Sequence, residues 1–522
     1  MRLSSLNGKT GFSMAGINSD DHSGHSVSGV GDLDKDGYDD VLVGAPHNDH
    51  NGNKAGSAYL FFGKKSGYKS SVKLEDLDGN NGFFIYGQDA EDRAGFSVST
   101  AGDVNNDGYD ELIIGAPRGD HAYVYWGAAS HSKHRQLNDF VGIDIGFYIG
   151  DGVGSRFGYS VDTAGDINGD GYADMIVGNN WANANNDGTG ISYDSGKTWI
   201  VMGSKRSDFE GESNGTVDLG DLDGKNGFAL WGLDSPDHSG TSVSGLGDIN
   251  GDGYDDLITG APYADPNGKG NAGESYVIFG QPNAYAVDGD GGIDLAKLNG
   301  SNGFRIDGID SGDTSGFSVN NAGDVNGDGL DDFVIGAARY PGTLRDVSET
   351  YNPNKGGPGE AYLIYGKKTG YKASMKLSEL DDSQGFVIEG IDKGDQAGWS
   401  VNTAGDVNGD GYDDIIIGAP YAANKKGESY VIFGGDFTGD STVTGSSSDD
   451  LIASSSTSSN SVFETGRDNP LTPGETVNAP SESRDPCIGE TTPRASFQGD
   501  RSDLFSQFAF INSMEDDDQQ DG

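Results

Sequence analysis

Cysteine is nearly absent. The 522-residue chain has one, Cys487, so no internal disulfide framework can staple it. Basic side chains are scarce as well. Lys and Arg number 34 against 83 Asp and Glu, for a formal net charge of -49. That balance excludes the basic stripes a nucleic-acid partner requires. No run approaches the 18 or more apolar residues of a membrane-spanning helix, so no membrane span is expected. The opening Met1-Arg2-Leu3-Ser4-Ser5-Leu6 lacks the apolar core of a signal peptide. Export through a C-terminal signal and origin as a piece of a longer chain both stay open. No Gly-x-Ser-x-Gly elbow, Walker loop or zincin helix occurs. The catalytic set is therefore expected to be empty and the protein not an enzyme.

What the chain has in quantity is glycine, 87 residues, and one acidic loop written six times. The loops begin at Asp32, Asp103, Asp166, Asp248, Asp324 and Asp406. Side-chain oxygens stand at positions 1, 3, 5 and 9. They are Asp32, Asp34, Asp36 and Asp40; Asp103, Asn105, Asp107 and Glu111; Asp166, Asn168, Asp170 and Asp174. The later copies have Asp248, Asn250, Asp252 and Asp256; Asp324, Asn326, Asp328 and Asp332; Asp406, Asn408, Asp410 and Asp414. Position 6 is always glycine, where a sharp turn lets the backbone wrap an ion. Position 7 offers a carbonyl, from Tyr38, Tyr109, Tyr172, Tyr254, Leu330 and Tyr412. Hard oxygen donors on a short, tightly turned segment are how a calcium loop is built. Up to six Ca2+ ions are expected, and their binding should form part of the folding free energy.

These are not EF-hands, which need a bidentate Glu at position 12 and flanking helices. Position 12 is Val43, Ile114, Val177, Thr259, Ile335 or Ile417, and the flanks alternate like strands. Position 2 is always apolar, from Leu33 to Val407, and reads as a plug into the core. Asp-Gly and Asn-Gly pairs make tight turns on their own. That does not account for oxygens at four positions in all six copies.

Each repeat carries four strand-like runs. In the second they are Phe96 to Thr100, Leu112 to Gly115, Ala122 to Trp126 and an outer strand in the following linker. Outer strands share a signature, as in Gly82-Phe83-Phe84-Ile85-Tyr86-Gly87 and Gly385-Phe386-Val387-Ile388-Glu389-Gly390. Four short antiparallel strands per repeat predict an all-β propeller of six four-stranded blades, favoured over seven. The propeller is expected over residues 1–435. Residues 3–16 match the outer-strand linkers and are expected to close the ring on the last blade, leaving no open edge.

These residues resemble the FG-GAP repeats of the integrin α-subunit propeller and its bacterial relatives, across about residues 3–434. Gly-Ala-Pro at Gly44, Gly115, Gly260 and Gly418 belongs to the same pattern. There are departures. Only the third repeat has a literal Phe157-Gly158, and the third and fifth replace Gly-Ala-Pro with Gly178-Asn179-Asn180 and Gly336-Ala337-Ala338. The resemblance implies a calcium-binding, non-enzymatic adhesion or recognition propeller at the cell surface or outside the cell. A carbohydrate-binding lectin-type propeller and the accessory propeller of a hydrolase or lyase are the alternatives.

Residues 436–522 are rich in Ser, Thr, Asp and Pro and are expected to be mostly disordered. His47 with His50, and His131 with His134, have metal-ligand spacing without a third ligand. They read as solvated loop histidines. Loops on the face opposite the acidic loops vary most. They carry Trp181, Tyr193, Tyr263, Arg339, Tyr340 and Tyr351, residue types suited to holding a protein or glycan ligand.

Overall fold

The computed structural model describes residues 12–128, 134–136, 145–150, 156–183, 194–210, 216–282, 284–288, 291–338, 357–422, 427–437, 444–445, 452–453 and 462–465. Strands dominate; Arg206–Glu210 is a single α-helical turn. The strands form six blades around a central channel.

Blade two shows how the sequence builds a blade. Ser97–Gly102, Glu111–Ala116, His121–Tyr125 and Gly146–Gly150 run antiparallel to one another in that order. The middle strands are buried on both faces, because blade two is covered by blade one on one side and blade three on the other. All five outer-strand signatures of the glycine-phenylalanine type are outer strands: Gly82–Tyr86, Gly146–Gly150, Gly227–Trp231, Gly303–Asp307 and Gly385–Glu389. Four of them gain a parallel fifth strand from the next linker, at His134–Gln136, Thr216–Asp218, Gly292–Asp294 and Ser374–Lys376. The sequence pattern did not suggest that strand. It is three residues long and too short to show a period.

The apolar cores lie between blades. Phe83, Leu60 and Leu42 of blade one pack with Leu112, Ile114 and Tyr125 of blade two. Equivalent clusters join blades two to three, three to four, four to five and five to six.

The closure differs from the sequence expectation. Residues 3–11 lie outside the described residues. Ser13–Ala15 pairs parallel with Ser71–Lys73, beside blade one. Phe12 stacks on Tyr68, with ring centroids 4.8 Å apart, and packs beside Phe61. The outer position of blade six is held instead by Val462–Thr465, antiparallel to Ser429–Ile432. The physical reason is visible in register. Val431 faces Phe463, just as Leu363 faces Phe386 and Val277 faces Phe304. A Val-Phe-Glu-Thr segment satisfies the same edge as a Gly-Phe strand. Of the expected disordered tail, Phe437 is buried against Phe386 and Thr444–Gly445 pairs with Ile452–Ala453; Cys487 lies outside the described residues.

Candidate cation loops and channel mouth

All six acidic loops adopt one conformation. The first Asp accepts the backbone N–H of positions 5 and 6; in blade one, Asp32 takes Asp36 at 2.9 Å and Gly37 at 2.8 Å. The same pair recurs at Asp103, Asp166, Asp248, Asp324 and Asp406. The position 5 carboxylate accepts the N–H of position 7. Position 6 needs glycine because its φ lies near +90°, as at Gly37 and Gly411. In the first loop, oxygens of Asp32, Asp34 and Asp36 come within 4.8 Å of one another, close enough to share an ion. The apolar plugs Leu33, Val104, Ile167, Ile249 and Val325 are buried; Val407 is half-buried.

Position 9 is the most constrained acid. Asp40, Glu111, Asp174, Asp256, Asp332 and Asp414 are all fully buried. Each accepts the N–H of its plug residue and the N–H of a glycine where the third strand ends. For Asp174 these are Ile167 at 3.0 Å and Gly203 at 2.8 Å. Burial pushes these carboxyls up, and neighbouring loop carboxylates add to it. Asp174, Asp256 and Asp332 rise to about 8, Glu111 to about 9, Asp40 to about 7 and Asp414 to about 6. A buried carboxylate beside exposed carboxylates, with no ion pair to a cationic side chain among the described residues, is the donor set a hard divalent ion fits. Positions 1, 3, 5 and 9 would hold it, with the position 7 carbonyl.

Position 8 went unread in the sequence, although five of the six loops have Asp there. Asp255, Asp331 and Asp413 reach back to the preceding blade. Each accepts the N–H of that loop's first Asp, at 2.7, 3.0 and 3.0 Å. The position 7 side chain is also used. Tyr254 and Tyr412 pack over Gly169 and Gly327 of the preceding loop, and Leu330 over Gly251. Acidic loops thus tie blade to blade.

At the opposite end of the innermost strands, a cavity of about 390 Å³ opens along the axis. Phe96, Tyr159 and Trp399, each just before an inner strand, and Phe317, inside the inner strand Ser315–Gly323, line it together with Tyr263 and Tyr421. Deeper in, the repeated strand position is Ser28, Ser99, Ser244, Asn320 or Asn402, but Asp162 in blade three. Hydroxyls of Ser99 and Ser244 donate to Asp162 at 2.7 and 2.9 Å. Burial still raises that carboxyl to about 6. Sequence reading missed Asp162. The signal was one acid at a position otherwise Ser or Asn.

Of the six residues proposed from sequence for a ligand, Tyr193, Arg339, Tyr340 and Tyr351 lie outside the described residues. Trp181 and Tyr263 both flank His238, with centroid separations of 6.0 and 5.2 Å. The Arg156 guanidinium lies 3.6 Å from the Trp181 ring centroid. Tyr263 is buried and lines the channel cavity. Among the early histidines, His22 and His47 lie 4.1 Å apart by ring centroids, and the His25 Nδ1 is 2.9 Å from the Phe96 carbonyl. Burial lowers both His25 and His47 to about 4.

Comparison with known proteins matches the FG-GAP repeat model at residues 23–61, 94–130, 157–193, 239–278, 315–364 and 397–432. Integrin alpha pat-2 of Caenorhabditis elegans is 30% identical over 257 residues, 47% of this chain and 18% of the relative. Integrin alpha-5 of Xenopus laevis is 26% identical over 254 residues, 48% of this chain and 20% of the relative. A phosphatidylinositol-glycan-specific phospholipase D of Dictyostelium discoideum is 26% identical over 374 residues, 68% of this chain and 35% of the relative. The match spans about a fifth of the integrin relatives and a third of the phospholipase.

Proposed function

The chain is a propeller of six FG-GAP repeats related to integrin alpha-subunits, and from that premise we propose a calcium-stabilised, non-enzymatic recognition module. It holds a protein ligand at the channel mouth opposite the acidic loops. The observation that carries this is the axial cavity: an aromatic rim around one half-buried carboxylate, Asp162. Aromatic anchors in a concave, desolvated site are what binding hot spots are made of. Calcium belongs to the reading because six sets of hard donors surround buried acids. A cell-surface or extracellular setting follows, since extracellular calcium modules fill at roughly 10⁻⁴–10⁻³ M.

The test is capture of cell-surface proteins on the immobilised chain in calcium and in chelator, with Trp399→Ala as the rim variant. Specific capture in calcium, lost in the variant while the melt is unchanged, supports the reading. Equal capture by both chains refutes the channel mouth as the site.

The phospholipase relative favours a second reading, the accessory propeller of a hydrolase. The cavity does not supply an obvious nucleophile. Ser99 and Ser244 both donate hydrogen bonds to the same carboxylate, Asp162, one to each oxygen. Turnover in a phosphodiesterase and glycan-hydrolase screen would overturn the non-enzymatic assignment.

A further inference from the structure

Five joints between blades share a backbone contact. A glycine in the second strand of each of the first five blades lies against a glycine carbonyl at the start of the next: Gly44 with Gly95, Gly115 with Gly158, Gly178 with Gly240, Gly260 with Gly316 and Gly336 with Gly398. At the acidic loops the joint changes character, because a charged side chain crosses it.

The Asp255 carboxylate accepts the Asp166 N–H at 2.7 Å, and the Asp255 N–H donates to the Asp166 carbonyl at 3.4 Å. One residue of blade four therefore holds both main-chain groups of the first ligand in the loop of blade three. That ligand is the hub of its loop, since its two carboxylate oxygens accept the N–H groups of Asp170 and Gly171. Asp413 grips Asp324 in the same double way, at 3.0 and 3.2 Å. Asp331 takes the Asp248 N–H at 3.0 Å. The residue just before each hub is glycine and leaves room for the incoming acid. At Gly165, Gly247 and Gly323 a Cβ would lie 2.2 Å from a carboxylate oxygen of Asp255, Asp331 or Asp413.

Blade three departs from this pattern. Its position 8 is Ala173. The Ala173 N–H still donates to the Asp103 carbonyl, at 3.1 Å. The Ala173 Cβ is 2.6 Å from where a Cβ on Gly102 would be, and the Cβ atoms of Asp255 and Asp413 are 2.7 Å from the same point at Gly165 and Gly323. The backbone of the joint is kept, and only the carboxylate is missing.

We infer that the position 8 Asp is a positioning residue for the cation site of the preceding blade. Asp255, Asp331 and Asp413 set the calcium affinity of the loops that begin at Asp166, Asp248 and Asp324, and the loop at Asp103 lacks this support. The carboxylate is not itself a ligand there. It acts through the first Asp, whose main chain it fixes before an ion arrives, and it adds negative charge behind the donor set. Removing an outer partner of this kind costs about 10–100-fold in metal affinity. A purely mechanical tie between blades would move the melt and leave the affinities alone. The assignment rests on the calcium reading above and is independent of the channel mouth.

The test is equilibrium dialysis of the full chain against free calcium from roughly 10⁻⁶ to 10⁻² M, which brackets extracellular calcium modules. Asp255→Ala should shift one site to about tenfold higher free calcium. Asp255→Asn keeps an acceptor oxygen and should shift it less. Two backgrounds identify the site. In an Asp170→Ala chain, which lacks the loop of blade three, adding Asp255→Ala should change nothing further. In an Asp252→Ala chain, which lacks the loop of blade four, it should still shift one site. Ala173→Asp adds a contact instead of removing one; it should tighten one site about tenfold, and not in an Asp107→Ala chain. An Asp255→Ala isotherm equal to the parent's, a shift that survives loss of the blade-three loop, or an Ala173→Asp chain without a tighter site overturns this assignment alone. A parent chain that binds no calcium overturns the calcium reading with it.

Discussion

Removing divalent cations should make the protein lose stability as pH rises from 5 to 8. Asp174, Asp256 and Asp332 have folded-state pKa values raised to about 8 from an ordinary 3.8. In that window the folded state binds more protons than the unfolded state, so unfolding releases protons and stability falls with pH. The penalty is absent below about 4, grows through the window and levels above about 8. At pH 7 each such group costs roughly 4 kcal/mol. Three together approach the whole stability of an ordinary domain, about 5–15 kcal/mol. A divalent ion reverses the sign, because it binds the ionised form and makes ionisation favourable. The assay is thermal melting in excess chelator and in millimolar calcium at pH 5, 6, 7 and 8. The chelated melt should fall by tens of degrees across the series, and the calcium melt should stay level or rise. A chelated melt that is flat or rises over this range refutes the account of position 9.

Two further outcomes are expected. Gly115→Val drives a side chain into the Gly158 carbonyl of the next blade; it should cost more than about 4 kcal/mol and abolish the cooperative urea transition, whereas Val at the exposed Gly270, which has open space and no left-handed backbone, should cost about 1 kcal/mol or less by the same assay. Asp328→Ala removes one carboxylate from the fifth loop; calorimetry should then count one calcium fewer, with the other loops unchanged because repeat stability is partly local.

The blades were legible because their signals are local. Strand runs, outer-strand glycines and acidic loops each occupy a few adjacent residues, and all five Gly-Phe outer strands fall where the repeated signature puts them. The loop conformation was legible for the same reason, since Gly37 and its counterparts can only be serving a left-handed turn. The closure was not legible. Which edge a strand joins depends on competition between distant segments, and Phe12 and Phe463 carry the same short message. Asp162 escaped because its meaning is positional: it matters only after six strands converge on one axis. Position 8 escaped because its partner belongs to another repeat.

The glycine-to-carbonyl joints have a consequence for how such a chain can change. A joint made from two backbones asks nothing of the side chains around it. A blade can then exchange its core residues, or a whole repeat can be copied or lost, without the neighbouring surface having to be rewritten. Blade number becomes a free variable, limited by whether the last surface finds a first surface to meet.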